Sequence, residues 1–200
     1  MYKKYLKRFF DLVFSIILTP FVIVFVLLIS PFILFFDRGS IFFCSERLGK
    51  DMKPFKMYKI RTMKIGAPDI RNSDGSTFNS DDDDRVTPIG KILRKTSLDE
   101  LPQIINIFLG QMSFIGPRPD LESQKEEYQT KKRDSTKFMV KPGITGLAQV
   151  YGRNNIDWDE KNRLDKRYVE NLSFILDLKI FFLTISKVLF QKDVNKTRRG

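Results

Sequence analysis

The strongest hydrophobic pattern in the chain is a run of 25 residues without a charged side chain, from Leu12 to Phe36. About 20 apolar residues in a helix span the hydrocarbon core of a bilayer, so the length alone is typical of a transmembrane helix. Two prolines interrupt the run, Pro20 and Pro31. Because a proline inside a helix removes a backbone hydrogen bond and crowds the preceding turn, we expect a break at Thr19–Pro20.

Basic residues flank this apolar run on both sides: Lys3, Lys4, Lys7 and Arg8 precede it, and Arg38, Arg47, Lys50, Lys53, Lys56 and Lys59 follow it. Flanking lysines and arginines favour the cytoplasmic side of a membrane, and here the rule applies to both flanks. A re-entrant helix-break-helix that enters and leaves on the same face satisfies the rule. We favour it over the alternative, a single spanning helix, and divide the chain into an anchor at 1–37 and a cytoplasmic domain at 38–200.

The pattern after residue 38 predicts a small α+β domain that is mostly helical. Short β-branched and aromatic segments predict strands at Ile41–Phe43 and Phe55–Ile60. Helical periodicity is found at Ile89–Leu93, Leu98–Leu109, Leu121–Lys132, Trp158–Asn171 and Ser173–Phe190. Polar and glycine-rich segments predict an exposed loop at Gly66–Asp84 and a loop with a short strand at Lys141–Asn155.

The last predicted helix, Ser173–Phe190, carries an apolar stripe with lysines beside it. Such a stripe packs in a protein core or lies in the plane of a membrane interface, and both interpretations stay open. The whole chain has a net charge of +11, and the excess is concentrated in its first and last quarters. No long basic arm typical of nucleic-acid binding is present. The distribution therefore favours attraction to anionic lipid head groups, and we expect no nucleic-acid partner.

The composition excludes several kinds of chemistry. The chain has no histidine, so a Ser-His-Asp triad, an imidazole metal site and a histidine general base are all excluded. The single cysteine, Cys44, excludes an internal disulfide and a thiolate zinc cluster. Catalysis by this chain would have to use carboxylates, lysine, tyrosine, serine or Cys44.

Adjacent carboxylates occur in the segment Ser97-Leu98-Asp99-Glu100. The spacing is typical of a capping box, with Ser97 as the N-cap and Glu100 reaching back to it. Pro102 does not fit a regular helix begun at Ser97, because it cannot donate a backbone hydrogen bond. Two carboxylates at such a site can also attack an electrophile and hold a divalent cation. The spacing alone leaves both interpretations open.

Two further segments carry arginines that could meet anions. In Gly116–Pro119, prolines fix the backbone on both sides of Arg118, which suits either a preorganised guanidinium aimed at a phosphate or a rigid turn. In Lys141–Arg153, glycines allow close backbone approach to a ligand, and Arg153 follows them. A plain hairpin loop explains these glycines equally well.

Four segments in order resemble the bacterial sugar transferases: Tyr58–Met63, Arg94–Gln103, Met112–Pro119 and Pro142–Gln149. More narrowly, the chain is similar to the small monotopic polyprenol-phosphate phosphoglycosyl transferases over about residues 7–177. The resemblance implies transfer of a sugar 1-phosphate from a UDP-sugar to undecaprenyl phosphate, with release of UMP, as the first membrane step of glycan assembly. It implies a bacterial inner-membrane enzyme with both termini cytoplasmic.

The resemblance also implies roles for individual residues. Asp99 becomes the nucleophile that carries a covalent phospho-sugar, and Asp99 and Glu100 together hold Mg²⁺. Substrate-binding positions are Arg118, Arg153, Lys59, Arg94 and Asp165, and the membrane break is Thr19-Pro20. Anionic membrane lipids and downstream glycosyltransferases are the other implied partners.

The physical chemistry agrees with these roles, because attack on a diphosphate needs a carboxylate, a metal and arginines but no histidine. An aspartate of ordinary pKa is already ionised at pH 7, so we expect no general base for the first step. The acidic Gly66–Asp84 loop departs from the family pattern and leaves the sugar open. The alternative function is a non-catalytic membrane adaptor of a glycan-assembly complex.

Overall fold

The computed structural model describes residues 1–37, 39–70, 83–130, 133–152 and 156–189. The helices are α1 (Lys7–Asp37), α2 (Pro88–Thr96), α3 (Gln103–Phe108), α4 (Lys125–Thr130), α5 (Leu147–Tyr151), α6 (Trp158–Glu170) and α7 (Phe174–Leu189). The strands are β1 (Phe42–Leu48), β2 (Pro54–Ile60), β3 (Ser113–Ile115) and β4 (Gly143–Thr145). This confirms the predicted α+β class and its mostly helical content. Most of the Gly66–Asp84 loop lies outside the described residues.

Helix α1 remains helical through Pro20 and Pro31, so a change of direction at Thr19–Pro20 would be a bend within one helix and not a non-helical break. Neighbouring hydroxyls add bonds on this segment: Thr19 Oγ1 donates to the Ser15 carbonyl at 2.6 Å, and Ser15 Oγ donates to the Leu12 carbonyl at 2.9 Å. A proline removes a single backbone donor, and the remaining turns keep the helix intact. Among the described residues, Tyr2–Phe36 is the helical segment long and apolar enough to cross a membrane.

The start of α1 contacts the folded domain through two charged side chains. Arg8 donates to the carbonyl of Ile107 at 2.6 Å and to that of the next residue at 2.9 Å, which caps the end of α3. Asp11 is buried and accepts from Ser113 Oγ at 3.0 Å and from the Phe114 backbone N–H at 3.1 Å. These bonds fix α1 to α3 and β3.

The other end of α1 contacts the same domain through apolar side chains. Ile33 is buried in a cluster with Ile60 of β2 and Leu93 of α2, and Phe25, Val26 and Ile29 pack against it. The opposite face of α1 is an exposed apolar surface, as shown by Phe14, Ile17, Leu18, Phe21, Val24, Leu27, Leu28, Phe32 and Phe35. An apolar surface of this extent is typical of contact with lipid.

Strands β1 and β2 form an antiparallel hairpin in the register Phe42↔Ile60 to Leu48↔Pro54. Both predicted strands are thus confirmed, although β1 is longer than expected. The outer edge of β2 is completed by a side chain of α3. Asn106, fully buried, accepts from the Tyr58 N–H at 3.1 Å and donates to the Lys56 carbonyl at 2.7 Å. The carboxamide thus replaces a neighbouring strand and joins β2 to α3.

Parallel strands β3 and β4 bring two of the recognised segments together. A Cβ atom on Gly143 would lie 2.1 Å from the Gly116 nitrogen, and one on Gly146 would lie 2.0 Å from the Gly116 oxygen. Real Cβ atoms do not approach backbone so closely, so both positions require glycine. These glycines therefore bring two backbone segments into contact, and the segment pairs in parallel with β3 instead of forming the hairpin. The segment also contains helix α5, which the sequence pattern did not predict.

Helix α7 divides its apolar residues between the core and the surface. Ile180 is fully buried against Tyr168 of α6 and Leu147 of α5. The outer apolar residues are exposed: Phe174, Ile175, Leu178, Phe181, Phe182, Ile185 and Val188. Phe174 packs against Phe10 of α1 with ring centroids 5.9 Å apart. The exposed stripe beside α1 favours the interfacial interpretation of this helix over simple core packing.

Candidate active site

The adjacent carboxylates Asp99 and Glu100 lie in a short 3₁₀ turn, Leu98–Glu100, between α2 and α3. The predicted capping box is wrong. Ser97 has a left-handed backbone (φ 58°), ends α2 and makes no side-chain capping bond. Pro102 delays the start of α3 to Gln103, and this explains the irregular turn. The Glu100 side chain is therefore free to form ion pairs instead of a cap.

Glu100 is held by two cations. Its Oε1 accepts from Lys59 Nζ at 2.7 Å and from Arg118 Nη2 at 3.1 Å. Burial alone would raise the pKa of Glu100, but the charges of Lys59 and Arg118 outweigh burial and lower the pKa to about 2. Glu100 is therefore ionised at neutral pH, and it fixes Lys59 of β2 and Arg118 of the proline-flanked turn at one point.

Asp99 is buried beside this ion pair, with its Oδ2 3.9 Å from Lys59 Nζ. Burial raises the pKa of Asp99, and the neighbouring Glu100 charge adds to this, while Lys59 acts in the opposite direction. The expectation of an aspartate with an ordinary low pKa is thus corrected. Within the described ranges, neither oxygen of Asp99 accepts a hydrogen bond, so its carboxylate remains available to a ligand.

Arg94, in the last turn of α2, interacts electrostatically with Asp99. Its Nε donates to Thr62 Oγ1 at 2.9 Å. Burial lowers the pKa of Arg94, whereas the charge of Asp99 raises it, which is consistent with the proximity of the two groups. Gly90 permits the contact that places α2 here, because a Cβ on Gly90 would lie 2.1 Å from the Thr62 oxygen.

Arg118 projects from the turn after β3, between Pro117 and Pro119. Its side chain remains 44% exposed, so the guanidinium that binds Glu100 also faces solvent. The prolines restrict the backbone on both sides, which limits the conformations that the arginine can adopt. Arg153 lies outside the described residues.

Asp165 does not contact the carboxylate pair. It is fully buried on α6, where its Oδ2 lies 3.2 Å from Lys137 Nζ. The same lysine binds Asp120 at 2.9 Å, and Lys161 binds Asp120 at 3.0 Å. Asp120 follows Arg118 by two residues, so this buried cluster supports the turn that presents Arg118. The structure therefore brings Lys59, Arg94, Asp99, Glu100 and Arg118 together and places Asp165 behind them.

Sequence reasoning missed Asn106, Asp120 and Lys137. Asn106 had a detectable signal, since it is a polar residue between Ile105 and Ile107 in an apolar helix. The ion cluster of Asp120 and Lys137 had none, because its members come from separate parts of the chain and neither residue lies in a pattern that distinguishes it from a surface charge.

The assembled site is suited to a divalent cation and a diphosphate. Two carboxylates alone bind a hard cation such as Mg²⁺ when water and substrate phosphates complete its oxygen ligands. Asp99 has both oxygens available, and the described hydrogen bonds to Glu100 all fall on Oε1. Within the described part of the chain, no three or more acidic, histidine or cysteine side chains are grouped so that they could hold a metal ion by themselves. The residues therefore fit Mg²⁺ held mainly by substrate and water.

Comparison with known proteins identifies related sequences. The family model described as "Bacterial sugar transferase" matches residues 2–191. The chain is 42% identical to "Uncharacterized sugar transferase EpsL" of Bacillus subtilis, over 96% of this chain and 91% of that protein. It is 41% identical to the "UDP-glucose:undecaprenyl-phosphate glucose-1-phosphate transferase" of Klebsiella pneumoniae, over 78% of this chain and 34% of that protein. It is 35% identical to the "Undecaprenyl-phosphate galactose phosphotransferase" of Salmonella typhimurium, over 95% of this chain and 41% of that protein.

Proposed function

The chain belongs to the bacterial sugar transferase family, and from this premise we propose that it transfers a sugar 1-phosphate from a UDP-sugar to undecaprenyl phosphate. The products are UMP and an undecaprenyl-diphosphate sugar, which begins assembly of a polysaccharide or other glycan. The observation that carries the proposal is the cluster of Asp99 and Glu100 with three cations, Lys59, Arg94 and Arg118.

The first step is attack by Asp99. A carboxylate oxygen of Asp99 forms a bond to the β-phosphorus of the UDP-sugar, and the bond from that phosphorus to the bridging oxygen breaks, so that UMP leaves with the electron pair. The sugar 1-phosphate is then bound covalently to Asp99. Lys59 and Arg94 favour the ionised carboxylate, which is the nucleophilic form.

The second step returns Asp99 to its free form. A phosphate oxygen of undecaprenyl phosphate attacks the same phosphorus, and the bond to Asp99 breaks. The two steps balance without a proton transfer if the acceptor phosphate is dianionic. Arg118 and Arg153 would contact the phosphates and balance the charge that develops on their oxygens.

A magnesium ion would be held by Asp99 and Glu100 together with substrate oxygens. When bound, it would neutralise phosphate charge and orient the leaving group. Glu100 keeps its role without the ion, since it fixes Lys59 at 2.7 Å and Arg118 at 3.1 Å. The cations bound to Glu100 are thereby preorganised at the position where negative charge develops.

We further propose that α1 bends at Thr19–Pro20, that it is therefore re-entrant, and that both termini lie on the cytoplasmic face of the bacterial inner membrane. Asp11 and Ile33 are 22 residues apart, which is roughly 33 Å along a straight helix and comparable to the thickness of the hydrocarbon core. A helix that crossed the bilayer would place these residues on opposite sides. Both instead contact the same domain, and this supports entry and exit on one face.

Cysteine labelling tests this topology. In a Cys44→Ser background, single cysteines replacing Lys4 and Ser40 should both react with a membrane-impermeant maleimide in inside-out vesicles and be protected in intact cells. Labelling of the Lys4 position only from outside would establish a spanning helix and contradict the proposal.

The activity is tested with purified protein, Mg²⁺, undecaprenyl phosphate and a panel of UDP-sugars. We expect one or more donors to release UMP, and Asp99→Asn to abolish the release. Glu122→Gln, a carboxylate change outside the site, is the matched control and should retain activity. If no donor releases UMP, the alternative of a non-catalytic adaptor gains support.

A further inference from the structure

A groove of about 520 Å³ lies between α5, α6 and α7. Its walls are mainly apolar and include Leu147, Leu164 and Leu176, while Tyr151 and Ile175 lie at its surface. A volume of this size is typical of sites that bind a small molecule or part of a lipid. None of the lining residues belongs to the candidate active site.

Two cations line this groove without an acidic partner. Arg167 of α6 and Lys179 of α7 are exposed, and among the residues that the structure describes neither side chain forms an ion pair. The neighbouring Lys166 of α6, in contrast, binds Asp134 at 2.9 Å. The groove therefore combines an apolar interior with two positive charges that no described side chain neutralises.

The groove opens beside the exposed apolar residues of α1 and α7. Ile175 lines it and is 78% exposed, at the start of the apolar stripe of α7. The same first turn of α7 is fixed to α1, because Asp177 accepts from Lys7 at 2.7 Å. Asp177 also accepts from Tyr168 at 2.8 Å, and this engages both of its oxygens within the protein. Asp177 is thus already bound and does not serve as the partner of Lys179.

We propose that this groove binds one anionic phospholipid. The lipid phosphate contacts Arg167 and Lys179, and part of an acyl chain lies along Leu147, Leu164 and Leu176. An amphiphile with an anionic head and a hydrocarbon chain matches both properties of the groove, and it is available at the membrane face where the groove opens. The bound lipid would orient α6 and α7 on the membrane. This inference does not depend on the proposed transferase activity.

Lipid titration followed by native mass spectrometry tests the head-group contact. The full chain in a non-ionic detergent is titrated with phosphatidylglycerol or with phosphatidylcholine. We expect the wild type to prefer phosphatidylglycerol, and Arg167→Ala/Lys179→Ala to bind it at least tenfold more weakly. The control is Lys166→Ala/Lys187→Ala, which removes the same net charge from the same two helices outside the groove and should bind as the wild type does.

Fluorescence quenching tests the acyl chain separately. Tyr151→Trp in a Trp158→Phe background places a single tryptophan at the groove. Phosphatidylglycerol with brominated chains should quench it more than the brominated phosphatidylcholine does.

Three results would overturn the proposal. The first is equal weakening by the test and control variants, which would indicate general surface attraction. The second is equal quenching by the two lipids. The third is displacement of phosphatidylglycerol by undecaprenyl phosphate, which would assign the groove to the acceptor.

The Arg167→Ala/Lys179→Ala variant should retain UMP release when it is assayed in detergent with saturating acceptor. Failure of the lipid site and failure of the transferase activity can therefore be distinguished.

Discussion

Substitution of Asn106 by alanine removes the side chain that joins the hairpin to α3. The carboxamide makes three hydrogen bonds. Its oxygen accepts from the Tyr58 N–H at 3.1 Å, and its nitrogen donates to the Lys56 carbonyl and to Gln111 Oε1, both at 2.7 Å. Lys59, which binds Glu100, lies on β2 one residue beyond Tyr58. Loss of these bonds should therefore affect both the stability of the fold and the position of Lys59.

The expected loss in the free energy of unfolding follows from the hydrogen bonds that water cannot replace. An unsatisfied buried group costs about 1–3 kcal/mol, and a hydrogen bond that exchanges with water contributes about 0.5–1.5 kcal/mol. Lys56 is exposed, so its carbonyl can bind water, whereas Asn106 is fully buried. We expect Asn106→Ala to lower the free energy of unfolding by about 2–4 kcal/mol, and Gln111→Ala, which loses one bond, by about 1 kcal/mol.

Urea denaturation in detergent micelles measures both losses through the fluorescence of the single tryptophan, Trp158. Equal losses in the free energy of unfolding for Asn106→Ala and Gln111→Ala would show that the bonds from Asn106 to β2 do not stabilise the fold. A double-mutant cycle on UMP release then tests the link to Lys59. If Asn106 acts through Lys59, Asn106→Ala should lower kcat/KM in the wild type and have little further effect in a Lys59→Met background. Additive effects would contradict that role.

Three further predictions concern charges in and behind the site. Lys59→Met should lower kcat/KM for UMP release by about 100-fold or more, because it removes a fixed charge from the site; Lys56→Met, an exposed change on the same strand, should leave it within about twofold. Lys137→Met leaves Asp120 and Asp165 buried without their common partner and should cost about 3–5 kcal/mol in urea denaturation, and a loss below about 1 kcal/mol would argue against the ion cluster. Although burial would raise the pKa of Asp120, the two lysines lower it below the ordinary value of 3.8, so its stabilisation is complete above about pH 4 and is lost as the pH falls further. Asp120→Asn should therefore destabilise the protein more at pH 7 than at pH 3, and an equal loss at both would contradict the pKa direction.

The sequence predicted the elements that depend on local patterns. Strands β1 and β2 follow from β-branched and aromatic content, and helices α2, α6 and α7 and the end of α3 before Gly110 follow from helical periodicity. Gly110 has the positive φ of 80° that favours glycine after a helix. In each of these cases the residues that determine the element lie within a few positions of one another.

The errors arose where distant residues decide the outcome. The spacing of Ser97 and Glu100 satisfies a local capping rule, yet Lys59 and Arg118 offer Glu100 stronger partners from β2 and from the turn after β3. The hairpin interpretation of Gly143 and Gly146 is wrong, because their contact with Gly116 depends on the β3–β4 pairing, which no local pattern reveals. The predicted break in α1 did not allow for a helix that continues through a proline.

The residues of the candidate site were predicted because they lie in the segments that resemble the family, not because spacing alone identified them. Lys59, Arg94 and Arg118 are each ordinary basic residues in isolation. Only the fold brings them to the carboxylate pair, and it leaves Asp165 in the buried cluster behind Arg118. The resemblance therefore supplied information about tertiary contacts that the chain's local chemistry does not contain.

Mass spectrometry of the trapped intermediate tests the central proposal most directly. The protein is mixed with Mg²⁺ and a UDP-sugar that supports turnover, without undecaprenyl phosphate, then quenched and digested. We expect one sugar-phosphate adduct per chain on the peptide containing Asp99, with the fragment ions placing it on that residue and no adduct in Asp99→Asn. An adduct on any other residue, or turnover of Asp99→Asn at the wild-type rate, would contradict the account.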